Sequence, residues 1–144
     1  MTTAYVIPCG SGKLDREAPA RELYTSDHFR RQLRAAEAAC EEGDVVLVLS
    51  ALYGLVELDE VLEPYDLRMG QPHSVLVYTL ALQLKALGIT EVYALLPSTY
   101  YRRLREAGDL LDVLVWDVYE DSRGVGHQSS IAGHIINNEL GRVA

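Results

Sequence analysis

Val45-Val46-Leu47-Val48-Leu49, bounded by Gly43 and Ser50, decides the fold class. Five aliphatic residues in a row, with no polar interruption, are the mark of a strand buried on both faces in a parallel sheet. Towards the N-terminus, Phe29, Leu33, Ala36 and Cys40 recur at i, i+4, i+7 and i+11. That spacing places a helix before the strand, capped by Ser26 and ending near Gly43. Thr3–Pro8 is a shorter apolar run that stops at Cys9-Gly10-Ser11-Gly12, a buried strand followed by a tight loop. Towards the C-terminus, Ser50 to Gly70 resists a regular assignment, with Gly54, Pro64 and Gly70 as punctuation and a short helical turn expected around Asp59–Leu62. A loop of that length in a compact domain is either functional or mis-assigned, and the functional reading is preferred. Ser74 then caps a helix over Val75–Leu87 with Gly88 at its C′ position, Glu91–Leu96 forms the third strand, and Ser98 caps a helix carrying Arg102, Arg103 and Arg105. Val113–Val118 is the fourth strand, Glu120–Gly126 a polar loop, and Ser129–Leu140 a terminal helix.

Strands separated by helices imply right-handed crossovers and a mainly parallel sheet. The expected architecture is a single α/β domain over residues 1–144, a three-layer sandwich with about four to five strands and helices on both faces. Such sheets bind ligands beyond the carboxyl ends of their strands. The polar residues just past those ends are therefore the site candidates.

Composition narrows the function. The chain has 144 residues, 49% of them apolar, which suits one self-sufficient core. Every apolar run is broken by a charge before it reaches the roughly 18–20 residues of a membrane span, and the start lacks the basic region of a secretory signal. A cytoplasmic protein with no membrane partner is expected. Thirteen Lys plus Arg against 21 Asp plus Glu give a net charge of −8, which disfavours extended contact with a polyphosphate. A small nucleotide or a short strand is compatible with it. Two cysteines, Cys9 and Cys40, are too few for a zinc cage, and no structural metal or cofactor is expected.

Gly10-Ser11-Gly12-Lys13 has Ile7 and Leu14 where a Walker loop needs glycine and Ser or Thr. What remains is a glycine-rich turn and a lysine after a strand, read either as an anion cradle or as a plain turn. Cys9, beside a lysine and amide donors, is either a reactive thiol or a small buried hydrophobe. Cys40, on an apolar helix face, is read as core. Ser50 to Leu55 lacks the spacing of a nucleophile elbow, so Ser50 is read as a hydrogen-bonding group and Gly54 as a point of close backbone approach. Glu57 to Asp66 holds five carboxylates, most of them a solvated rim. The Tyr65-Asp66 pair stands apart: an aromatic plane that stacks on a base, next to a carboxylate that orients water or stabilises an oxocarbenium ion, suits N-glycosidic chemistry. Its bland alternative is a core tyrosine and a turn aspartate. Arg30, Arg31 and Arg34, and Arg102, Arg103 and Arg105, are surface residues first, and His127 precedes the last helix where it would reach an anion.

Leu49-Ser50-Ala51-Leu52-Tyr53-Gly54-Leu55, followed by Glu63-Pro64-Tyr65-Asp66-Leu67-Arg68-Met69-Gly70, resembles the signature of the YaaA family of peroxide-stress proteins, where Leu-Ser-Gly-x-Tyr-Gly and Pro-Tyr-Arg-x-x-Met-Gly occur at comparable spacing. Ile7-Pro8-Cys9-Gly10 through Lys13, with Pro19-Ala20 and Leu23-Tyr24-Thr25-Ser26, resembles more closely a small bacterial and phage domain of unknown function related to that family. The resemblance covers about the first half of the chain. It implies an α/β domain engaged with nucleic acid or its bases, with base-modification or glycosidase chemistry in the neighbourhood. Asp66 replaces the arginine of the YaaA motif, and the chain lacks room for the helical DNA-binding additions of larger relatives.

The expected function is therefore a nucleobase- or nucleotide-directed enzyme acting on an N-glycosidic bond, by hydrolysis or base exchange. Asp66, Tyr65 and Cys9 are the catalytic candidates. Ser11, Gly12, Lys13, Arg21, Tyr24, Ser50, Tyr53, Gly54 and His127 are the ligand-binding candidates, with Lys13 and Arg21 holding a phosphate. The rival is a non-catalytic stress-response protein that binds single-stranded or damaged DNA, with the arginine clusters tracking the backbone.

Overall fold

The structure, a computed structural model, describes residues 2–120 and 135–136. The elements in chain order are β1 (Thr2–Pro8), β2 (Ala18–Pro19), α1 (Ala20–Leu23), α2 (Asp27–Ala39), β3 (Val45–Ser50), β4 (Gly54–Glu57), β5 (Val61–Leu62), α3 (Val77–Ala86), β6 (Ile89–Ala94), α4 (Ser98–Asp109) and β7 (Leu114–Asp117). The domain is α/β, built on a five-stranded sheet in the order β4-β3-β1-β6-β7. β1 pairs in parallel with β3 and β6, and β6 in parallel with β7; β4 alone runs antiparallel, against β3. The aliphatic run of β3 lies next to the central strand, in register with Ala4 to Pro8 of β1, which is why it needs no polar face.

Successive strand residues point to opposite faces, and they divide between two apolar clusters accordingly. Val6, Leu47, Leu49 and Val92 join Leu80 and Leu84 of α3 and Leu104 of α4. Ile7, Val46 and Val48 join Leu23 of α1 and Phe29, Ala35 and Ala36 of α2. Ser26 caps α2 as its sequence suggests, accepting the Phe29 N–H at 3.1 Å. Among the described residues, no helix is long and apolar enough to cross a membrane.

The main departure from the sequence reading is in Ser50 to Gly70, expected as a long irregular segment. After the turn at Ala51–Tyr53 the chain doubles back as β4, and Val61–Leu62 extends against Ala18–Pro19 instead of forming a helical turn. Gly54 makes the hairpin: its φ of 77° is left-handed, and a Cβ there would strike Oε1 of Gln83. Gln83 clamps the hairpin from α3, accepting the Leu55 N–H at 2.8 Å and donating to the Tyr53 carbonyl at 3.0 Å. Two caps also differ. α3 starts at Val77 without a side-chain cap, because the buried Ser74 precedes a tie between the Val75 N–H and the Ala51 carbonyl at 2.7 Å. Ser98 is the first residue of α4, and Pro97 holds the cap position. Cys40 follows the last residue of α2 and, partly buried, packs against the apolar cluster that holds Phe29 and Ala36. Of the expected terminal helix only residues 135–136 are described, and they are helical.

Candidate functional site

β1 delivers Cys9 to the carboxyl edge of the sheet, and the chain turns through Gly10, Ser11 and Gly12 to Lys13. The turn is strapped to the segment before α2. Leu14 N–H donates to the Leu23 carbonyl and Thr25 N–H to the Gly12 carbonyl, each at 2.9 Å, forming an antiparallel bridge between Lys13 and Tyr24. A Cβ on Gly12 would stand 3.0 Å from Thr25 Oγ1, and one on Gly10 3.2 Å from Ser26 Oγ, so side chains there would push the turn off the start of α2.

Behind the turn three hydroxyls form a chain. Ser50 is wholly buried; its Oγ accepts the N–H groups of Leu52 at 3.2 Å and Tyr53 at 3.0 Å, and donates to the Tyr65 hydroxyl at 2.7 Å. The Tyr65 and Tyr24 hydroxyls are 2.7 Å apart. Lys13 Nζ lies 4.4 Å from the Tyr65 ring centroid and 5.8 Å from that of Tyr24, a cation held by ring quadrupoles. Tyr53 meets Tyr65 edge-on and donates its hydroxyl to the Glu63 carbonyl at 3.3 Å. Burial pushes the Tyr24 phenol up to about 12. Burial, then Cys9 and Tyr24, also raise Tyr65, so both phenols are neutral at ordinary pH.

In front of the turn is a cavity of about 230 Å³. Cys9, Ser11 and Lys13 line it from the β1 turn, Asp66 and Arg68 from the segment after β5, and Tyr100 from the first turn of α4. The Tyr100 hydroxyl is 3.3 Å from the Cys9 thiol; burial, and after it Cys9, raise that phenol. The place is the one topology favours. The chain leaves β1 for β3 on one side and returns to its other side as β6, so the carboxyl ends of β1 and β6 flank the switch point where open parallel sheets bind ligands. Two larger cavities, of about 500 Å³ each, lie along α4 and β7 and beside Cys40, Val45 and Asp59. They lack that topological position, and the smaller cavity is the better candidate for chemistry.

The structure thus gathers Cys9, Ser11, Lys13 and Asp66 on one cavity, with Gly12 in the turn that shapes it. Tyr24, Ser50 and Tyr65 come together as well, but as its buried support. All hydrogen-bonding capacity of Ser50 is spent on Leu52, Tyr53 and Tyr65, which leaves none for a ligand. One face of Tyr65 carries Lys13, and Tyr65 does not line the cavity. Tyr53 belongs to the same support. Gly54 faces Gln83, and Arg21 pairs with Asp59 at 3.2 Å on a different cavity. His127 lies outside the described residues. Arg68 is the cavity cation that sequence reading missed, and its only signal was its place two residues after Asp66. The arginine clusters are partly engaged: Arg30 pairs with Asp27 at 3.6 Å, Arg105 with Asp109 at 3.5 Å, and Arg103 donates to the Val75 carbonyl at 2.6 Å. Among the described residues, no group of three or more His, Cys, Asp or Glu is placed to hold a metal.

Comparison with curated proteins gives no match. A family model described as a family of unknown function, DUF6884, matches residues 4–110 of the 144 and so takes in every residue that lines the smaller cavity. The chain belongs to that family.

Proposed function

We propose that the domain is a nucleobase- or nucleotide-directed enzyme acting on an N-glycosidic bond, with its reaction centre at the cavity in front of the β1 turn. One observation carries the reading: a carboxylate, two cations and a thiol, Asp66, Lys13, Arg68 and Cys9, share a single concave site at the switch point of the sheet. Asp66 is exposed at the rim, where its carboxylate orients a water and takes its proton as the water oxygen bonds to the anomeric carbon. The carbon–nitrogen bond breaks in that step, its electron pair goes to the base nitrogen, which takes up a proton from solvent, and Asp66 returns its proton to solvent. Lys13 and Arg68 offset the negative charge of the ligand, and Tyr100, which lines the cavity where Tyr65 does not, supplies the aromatic surface. The resemblance of the Ser50 and Tyr65 segments to YaaA proteins fits a base-directed role. The two apolar clusters support a three-layer sandwich around this site. The reading places the domain in the cytoplasm, where Cys9 and Cys40 stay reduced.

The test combines melting temperatures in a panel of nucleobases, nucleosides and nucleotides with an assay for released base. Stabilisation by a panel member reports binding to the native state. Asp66→Asn is expected to cut turnover by about 10²-fold or more while leaving the melting temperature unchanged. Unchanged turnover in that variant removes Asp66 from the mechanism.

A further inference from the structure

We infer that the Lys13 and Arg68 end of the cavity is a phosphate-monoester subsite, so that the ligand is a nucleoside monophosphate in preference to a free base or nucleoside. This rests on the nucleotide-directed reading above and assigns the group that the two cations recognise. Lys13 is held in place from two directions. Its backbone is bridged to Tyr24, and its ammonium lies 4.4 Å from the centroid of a Tyr65 ring whose hydroxyl is tied to Ser50 and Tyr24. A cation immobilised before the ligand arrives has already met much of its ordering cost. Among the described residues, the ion pairs involve Arg16, Arg21, Arg30 and Arg105, and neither Lys13 nor Arg68 has a carboxylate partner. Among the described residues, the N–H groups of Gly10 and Ser11 donate to no backbone carbonyl. Two cations without an ion-pair partner among the described residues, on a lining shared with Gly10 and Ser11, match an anion with several acceptor oxygens and up to two charges.

Size points the same way. At about 230 Å³ the cavity is smaller than the roughly 300–1,000 Å³ of pockets that enclose a whole ligand. It accommodates one group deeply, while sugar and base extend over the rim past Asp66. A polynucleotide is disfavoured because one such subsite on a chain of net charge −8 cannot neutralise a run of phosphates.

Titration calorimetry on the full chain separates the possibilities, using inorganic phosphate, a purine and a pyrimidine nucleoside, and their 5′-monophosphates. The proteins compared are the unmodified chain, Lys13→Gln and Arg68→Gln, each checked for folding by its melting temperature; Arg68 is on an exposed segment, so its variant keeps the test available if Lys13→Gln unfolds. The monophosphate should bind roughly tenfold or more tightly than its nucleoside, and either substitution should remove that advantage without weakening nucleoside binding. Equal affinity for nucleoside and monophosphate overturns the subsite and leaves the base-directed reading standing. Phosphate binding that depends on Lys13 and Arg68, with nothing gained from an attached nucleoside, upholds the subsite and removes the base-directed reading. Absence of binding by every probe overturns both.

Discussion

The hydroxyl chain of Ser50, Tyr65 and Tyr24 shows how a residue type that looks catalytic becomes structural through its neighbours. A serine at a strand end and a tyrosine beside an aspartate would both suit a ligand, yet the polar atoms of both are engaged by each other, by Tyr24 and by the Leu52 and Tyr53 N–H groups. Ser50→Ala leaves the Leu52 and Tyr53 N–H groups and the Tyr65 hydroxyl without their partner in a closed environment. It should lower stability by about 1–3 kcal/mol, measurable by urea denaturation. A variant as stable as the parent would show that water replaces the serine. Tyrosine ionisation gives a second expectation. Burial raises Tyr24 from an ordinary 10.0 to about 12, because the neutral phenol is the form the interior accepts. Since the folded-state value is the higher one, this stabilisation is complete below pH 10.0 and is lost as pH climbs to about 12, at about 1.4 kcal/mol per pH unit. Tyr65, Tyr100 and Tyr119 are shifted in the same direction, chiefly by burial. Ultraviolet titration should therefore show a group of phenols that ionise only as the fold is lost. A single titration of all tyrosines near pH 10.0, with no loss of ellipticity, contradicts the buried chain.

The β3–β4 hairpin is the element that brings Ser50 and the segment from Glu63 to Gly70 back towards β1. Three devices close it: the left-handed Gly54, the Gln83 carboxamide, and the Val75 N–H bonded to the Ala51 carbonyl. Gly54→Ala imposes a left-handed backbone on a residue with a Cβ, costing about 1–2 kcal/mol, and it also displaces Gln83 from both of its bonds. Its stability loss should exceed that of Gln83→Ala, which removes the clamp but leaves the turn unstrained. Chemical denaturation of the two variants side by side checks the order, and the reverse order would place the constraint in Gln83 alone. Among the helices, α2 illustrates the opposite situation: periodicity and a serine cap settle its start locally, and the structure bears this out at Ser26 and Phe29.

At the scale of the molecule, a net charge of −8 disfavours extended contact with a polyanion, and Arg30, Arg105 and Arg103 are engaged in part by Asp27, Asp109 and the Val75 carbonyl. Binding to a short single-stranded oligonucleotide should accordingly be weak at physiological salt, and replacing Arg30, Arg31 and Arg34 together should change it little. Fluorescence anisotropy over a salt series reads this. Tight binding with a steep salt slope that the triple substitution flattens would favour a DNA-binding role over a pocket enzyme. The parallel α/β class was legible in Val45 to Leu49, Thr3 to Pro8 and the spacing of Phe29, Leu33 and Ala36, because burial on both faces and helical periodicity are written in neighbouring residues. The β1 turn, with Cys9, Ser11 and Lys13, was legible for the same reason: glycines at the end of a buried strand turn the chain outward and expose the polar residues among them. Whether Tyr65 stacks on a ligand or supports a lysine, whether Arg21 or Arg68 faces the cavity, and that Ser50 to Gly70 contains a hairpin depend on partners such as Tyr24, Asp59 and Gln83. Only tertiary structure decided these points, since hydrogen bonds and ring contacts between residues 15 to 41 positions apart leave no periodic trace in the chain.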